Sequence, residues 1–181
     1  MTRREALAQS ARWAGVAALW ASLPARTWAA LDRPAGWSDA DETLLTQIGD
    51  TIIPATPSSP GAGAVAIGRF MITQATDCLP PNAVETLRRG LVEIQAASRQ
   101  SFARAWEDLT ATERENVLTN YEARPASGRG AEHPFRLIKE LTLLGYFTSE
   151  PGATQALRYL PVPGGYRGSL HLGKDERSWA L

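Results

Sequence analysis

Apolar side chains recur at three- and four-residue spacing in five separate stretches of this chain, and nowhere do they alternate with the period of two that a strand needs. That pattern restricts the fold to packed helices. Prolines and glycines divide the stretches. The first opens at Ser38, which can cap a helix, with Asp39, Asp41 and Glu42 placed to favour the positive end of its dipole. Leu44, Leu45, Ile48 and Ile52 form its apolar stripe, and Pro54 disfavours a helical residue before it, so the helix stops near Ile53. Residues 31–37 ahead of it read as a linker. Residues 54–63, Pro-Ala-Thr-Pro-Ser-Ser-Pro-Gly-Ala-Gly, read as a rigid exposed loop.

A second helix is expected from Ala64 to about Asp77, burying Ile67, Phe70, Met71, Ala75 and Cys78. Pro80-Pro81 ends it and opens a third, over about residues 82–107, with Val84, Leu87, Leu91, Ile94, Phe102 and Trp106 inward. Thr110 to Glu113 has the spacing of a capping box, so a fourth helix follows with Val117, Leu118 and Tyr121. Arg124 to Glu132 is a polar loop. Pro134 suits a first helical position, and Phe135, Leu137, Ile138, Leu141 and Leu144 carry a fifth helix to about Thr148. The expected fold is all-α: an irregular bundle of about five helices over residues 31–152. Beyond Gly152, after a short helix at 153–157, the chain is aromatic, Gly/Pro-rich and without period. Residues 153–181 are therefore expected as an extended arm that lies on a partner, with Tyr159, Tyr166 and Trp179 as its anchors.

The start of the chain has a different character. Arg3 and Arg4 precede an apolar run from Trp13 to Leu23, and a small-residue site follows around Thr27-Trp28-Ala29-Ala30. A basic region, a short apolar region and a small-x-small end make a secretory signal over residues 1–30. The apolar run covers 11 residues, against the ~20 needed to span a bilayer. Thr-Arg-Arg-x-x-Leu resembles the twin-arginine class, which exports folded proteins. The expected location is the periplasm, with membrane contact only through a complex or an uncleaved signal. Residues 1–29 hold Arg3, Arg4, Arg12 and Arg26 against Glu5, so 19 basic and 19 acidic side chains become 15 and 18 without them. A weakly acidic chain lacks the electrostatic footprint of a nucleic-acid binder. Cys78 is the only cysteine, so no internal disulfide can form. The expectation is a buried thiol, the alternative a bond to another chain.

Two histidines and one cysteine cannot build a zinc site of the usual spacing. No Cys-x-x-Cys-His, Walker A, or Gly-x-Gly-x-x-Gly after a strand is present. No metal or cofactor is expected in this chain, and no catalytic residue. His133, beside Pro134, reads as a surface or capping residue rather than a general base. Ser169 and His171 stand in a Gly-rich tail with no scaffold to preorganise them.

The order of these pieces resembles a known family. An Ile52-Ile53-Pro54 helix end leads into a Pro/Gly/Ala loop and a helix carrying Phe70. Near the C-terminus stand Leu143-Leu144-Gly145-Tyr146-Phe147-Thr148-Ser149-Glu150-Pro151-Gly152 and Tyr159-x-Pro161-x-Pro163-Gly164-Gly165-Tyr166-x-Gly168. Over roughly residues 38–170 the chain is similar to the gluconate 2-dehydrogenase subunit 3 family, the small subunit of FAD-dependent sugar and sugar-acid dehydrogenases. The resemblance implies a non-catalytic partner of a large flavoprotein of the glucose–methanol–choline type. That partner holds FAD, and a c-type cytochrome with haem c, or quinone, takes the electrons. The small subunit would carry the export signal for both and stabilise the large one. It also points to Tyr146, Phe147 and Glu150 as interface residues beside Tyr159, Tyr166 and Trp179. Two other readings compete: a periplasmic helical chaperone-like or binding protein without a fixed enzyme partner, and a small secreted hydrolase. A thin set of nucleophile–base pairs argues against the hydrolase.

The paired arginines can be tested separately from the fold. Replacing Arg3→Lys together with Arg4→Lys keeps both charges but removes the guanidinium geometry. Cell fractionation should show this chain and its partner retained in the cytoplasm; periplasmic dehydrogenase activity in that variant would point to another export route.

Overall fold

In the computed structural model the described residues are 32–125, 133–162, 164, 165, 169, 171–174 and 176–180. The expected signal with Arg3 and Arg4, loop residues 126–132, and Tyr166 lie outside them. The described chain forms five α-helices: α1 (Asp39–Ile52), α2 (Ile67–Asp77), α3 (Pro81–Phe102), α4 (Ala111–Glu122) and α5 (Pro134–Phe147). Two 3₁₀ turns, Ala62–Val65 and Trp106–Asp108, and a π turn, Gly152–Ala156, complete the elements. No strand is present among the described residues, which hold two isolated bridges, Thr56 with Ser59 and Arg158 with Trp179. The fold is all-helical, as the periodicity implies.

Two helices start on capping boxes. Ser38 Oγ accepts from the Asp41 amide at 3.1 Å while the Asp41 carboxylate accepts from the Ser38 amide at 2.9 Å. Thr110 and Glu113 repeat the exchange at the head of α4, at 3.3 and 2.8 Å. Each box satisfies two of the amides that a helix start leaves without partners. Pro81 and Pro134 occupy first positions of α3 and α5, where the missing N–H costs nothing.

α2 packs against α1, α5 and α3, α1 and α5 also touch each other, and α4 packs on α3 while reaching α1 and α5. Leu45, Ile48, Ile67, Met71, Ile94 and Ile138 are fully buried where these helices meet. α1 and α2 touch through backbone: a Cβ on Gly68 would lie 2.3 Å from the Glu42 carbonyl oxygen. Glu42 also pairs with Arg69 at 2.7 Å, so an ion pair flanks that contact.

Several boundaries and faces differ from the sequence reading. α2 begins at Ile67, not Ala64, because a 3₁₀ turn and Ala66 at φ +53° come first. The turn forms where Asp50 accepts from the Gly63 amide at 3.0 Å. α3 ends at Phe102, not 107: Ala103 takes a left-handed conformation, φ +54°, and reverses the chain. Trp106 is still fully buried, but from the separate turn. Cys78 is exposed rather than buried, since α2 ends one residue earlier and the helical phase no longer governs it. Leu144 points outward, 47% exposed. The inward row of α5 runs Ile138, Leu141, Thr142, Gly145 and Tyr146, and Leu144 falls off that arc. The short helix expected at 153–157 is the π turn. The linker residue Trp37 is buried, donating to Thr76 Oγ1 at 3.2 Å with the Arg88 guanidinium 4.2 Å from its ring.

Thr110→Ala should lower stability by about 1 kcal/mol, the usual loss of an N-cap side chain, read as a shift in urea midpoint. Acidification should act in the same direction. The Thr110 amide holds Glu113 below its ordinary range, and Arg33 does the same for Asp39. Both carboxylates therefore add stability above their unfolded values, 4.5 and 3.8, which is lost as pH falls through the lower folded values. Unfolding midpoints unchanged between neutral pH and pH 3 would contradict this.

Candidate interaction surface

The run Gly145 to Gly152 holds the residues that α5 uses to fix itself. A Cβ on Gly145 would lie 2.4 Å from Phe70 Cδ1 and 2.6 Å from Ile67 Cδ1, so only glycine lets α5 approach α2 so closely. Tyr146 is 1% exposed. Its hydroxyl donates to the Pro60 carbonyl at 2.6 Å and ties α5 to the 54–63 loop. Tyr146 thus belongs to the core, although the sequence places it at an interface. Ser149, also buried, donates to the Tyr146 carbonyl at 2.6 Å and accepts from the Gly152 amide at 3.2 Å. A Cβ on Gly152 would come within 1.9 Å of the Tyr146 carbonyl oxygen, so the chain can turn back onto the end of α5 only with glycine there.

The other side of this helix end faces outward. Leu143, Leu144 and Phe147 are 40, 47 and 37% exposed and share one face of α5. The Phe147 ring packs edge-on against Tyr146, centroids 5.2 Å apart, and Glu150 stands exposed beyond it. The first half of α5 is different in kind. Arg136 pairs with Glu140 at 2.9 Å, and Lys139 with Glu122 of α4 at 2.8 Å. The helix thus changes from a charged, solvated outer face to an apolar one along its length.

The apolar exposure continues past the helix. Tyr159, Leu160, Val162 and Leu172 are exposed, and Trp179 is 37% exposed. Eight of the nine large apolar side chains exposed among the described residues fall between Leu143 and Trp179; Val92 is the other. Single exposed apolar residues are ordinary on a protein surface, whereas a concentration marks a contact surface.

Elsewhere the side chains have internal roles. His133 caps α5, its Nδ1 accepting from the Phe135 amide at 3.2 Å, and its ring lies 4.8 Å from that of Tyr121. The Tyr121 hydroxyl donates to Glu93 at 2.6 Å. Burial first, and the Glu93 carboxylate second, push that phenol well above its ordinary value. Sequence reading missed this pair, because Glu93 and Tyr121 are joined only when α3 and α4 pack. Ser169 and His171 are exposed. Among the described residues no three His, Cys, Asp or Glu side chains gather to hold a metal. Two grooves, of ≈ 170 Å³ beside Leu118, Phe135 and Lys139 and ≈ 290 Å³ beside Glu42, Gln47 and Arg69, are smaller than the ~300–1,000 Å³ of ordinary ligand pockets. No described helix is long and apolar enough to cross a membrane.

The family model described as Gluconate 2-dehydrogenase subunit 3 matches residues 39–164. That is more than half of the chain, and the chain belongs to this family. No curated protein and no solved structure matches it. The matched span opens on the first residue of α1 and takes in the exposed face of α5 and the start of the C-terminal segment. Membership implies a subunit of such a dehydrogenase, associated with its other subunits.

Gly152→Ala should cost about 1–3 kcal/mol, the range for overpacking a closed site, and fall at its upper end because the new methyl meets backbone rather than a movable side chain. Urea denaturation of the isolated chain measures it. A cost under 0.5 kcal/mol would mean that the turn after α5 relaxes freely.

Proposed function

We propose that this chain is the non-catalytic small subunit of a FAD-dependent dehydrogenase that oxidises a CH–OH group of a sugar or sugar acid. It binds and stabilises the large flavoprotein subunit, which holds FAD and substrate. A c-type cytochrome or quinone receives the electrons. The observation that carries this reading is the gathering of exposed apolar side chains from Leu143 onward on a chain of this family. Interfaces concentrate aromatic and aliphatic anchors of this kind, and α5 presents Leu143, Leu144 and Phe147 on a rigid helix.

The division of labour follows from the sequence. With no dinucleotide-binding turn in this chain, FAD is assigned to the large subunit. Arg3 and Arg4 supply the export address, so the complex is placed in the periplasm. The apolar face is covered by the flavoprotein there, and the charged half of α5 stays in water.

Co-expression with the FAD-dependent large subunit tests the reading. The small subunit alone should be colourless, and the complex yellow. Leu144→Glu should change stability by no more than about 0.5 kcal/mol, as for surface sites, yet reduce co-purified flavoprotein about tenfold or more. Full co-purification of that variant removes α5 from the contact. Transient binding to many unrelated chains would instead favour a chaperone.

A further inference from the structure

We propose that the 54–63 loop braces the apolar face of α5, and that Tyr146 and Asp50 are positioning residues for binding the large flavoprotein subunit. The binding rests on the function proposed above; the brace is a property of this chain. Tyr146 has two neighbours of different kinds. Its hydroxyl donates to the Pro60 carbonyl at 2.6 Å, across 86 positions of sequence. Its ring meets the Phe147 ring edge-on, with centroids 5.2 Å apart. Tyr146 is 1% exposed, whereas Phe147 is 37% exposed. A buried phenol needs a partner for its hydroxyl, so the bond to Pro60 fixes where the Tyr146 ring lies. That ring in turn supports the edge of one that stands in water.

The loop end is itself held by the end of α1. Gly61, next to Pro60, is buried, and a Cβ there would lie 2.3 Å from Asp50 Oδ1 and 2.8 Å from the Ala55 nitrogen. Asp50 Oδ1 accepts from the Gly63 amide at 3.0 Å, and the Ala62 amide donates to the Ile53 carbonyl at 2.9 Å. Pro54, Pro57 and Pro60 restrict the backbone between these points. A line of contacts therefore runs from Asp50 through the loop and Tyr146 to Phe147. A ring oriented in advance loses less freedom when a partner covers it. An immobilised side chain of this size otherwise weakens affinity roughly three- to tenfold. Every member of the line lies within residues 39–164, the span by which the chain belongs to its family. Membership associates the chain with the other subunits of a dehydrogenase, which assigns the flavoprotein as occupant of the braced face.

The full-length chain, with fluorine on ring carbon 4 of Phe147, is tested against the purified FAD-dependent large subunit by biolayer interferometry. Fluorine NMR and thermal unfolding follow the free small subunit. The wild type should bind and give one sharp fluorine line. Tyr146→Phe keeps the ring and removes only the hydroxyl. It should weaken binding roughly three- to tenfold, broaden or split the fluorine line, and lower melting by no more than about 5 °C. Asp50→Ala should do the same, and Asp50→Asn, which keeps an acceptor oxygen for the Gly63 amide, should restore binding and line together. Tyr146→Phe combined with Asp50→Ala should bind no more weakly than the worse single variant, because both open one brace. Leu144→Glu should lose binding while the line stays sharp, which separates a contact from a positioning residue. If the wild type binds and Tyr146→Phe binds equally well, the inference fails while the proposed function stands. If the wild type does not bind, the proposed function fails and takes the positioning role with it. A line in Tyr146→Phe as sharp as in the wild type overturns the brace itself. Losses that add in the combined variant make the two residues independent and overturn it. Melting that collapses in both Tyr146→Phe and Asp50→Ala makes the loop a requirement of the fold and overturns the proposal. Self-association of the small subunit, abolished by Leu144→Glu, reassigns the face to a second copy and overturns it too.

Discussion

Ile67 stands where three helices converge, and the arrangement of the others depends on how closely they approach it. It is fully buried, facing Gly49 of α1 and Gly145 of α5. A Cβ at those glycines would lie 2.7 and 2.6 Å from its side chain, inside any tolerable contact. Two missing methyl groups thus let both α1 and α5 close on α2. Close-packed interiors transmit such constraints, because no free volume absorbs a displaced side chain. The position of α5 along α2 is set there, and the Tyr146–Pro60 bond sets its rotation.

That rotation has a functional consequence. With Gly145 and Tyr146 turned to the core, Leu143, Leu144 and Phe147 must face water. The end of α5 therefore has two faces: Gly145, Tyr146, Ser149 and Gly152 lock the helix end, and Leu143, Leu144 and Phe147 present an apolar surface beside the lock. Glycine, serine and tyrosine do the locking through close packing and hydrogen bonds to backbone, so the apolar surface stands on a fixed helix end.

The helices were legible because capping and periodicity are local. Ser38 and Thr110 cap where their spacing implies, and Pro81 and Pro134 open helices where the ring's fixed φ suits them. Errors came at ends and faces. Nothing in Phe102-Ala103-Arg104 marks a stop, since alanine favours helix; the left-handed Ala103 exists because burying Trp106 demands a reversal there. Cys78 and Leu144 were misplaced for a related reason: a one-residue difference in helix end or phase moves a side chain from core to water.

The candidate surface was legible only as a stretch of chain. The Gly-Tyr-Phe-Thr-Ser-Glu-Pro-Gly run marks a stretch of chain but does not say which of its residues face out. Composition, proline placement and three- and four-residue periodicity determined by themselves that this chain is an all-helical bundle, because each helix start and stripe is written within a few neighbouring residues; the family showed only in the resemblance of its motifs. Only the tertiary structure decided that Tyr146 is core, that Leu144 and Phe147 are surface, and that Arg158 meets Trp179. Those outcomes depend on contacts between residues far apart in the chain, which exist only after α5 has closed on Ile67 and the chain end has turned back.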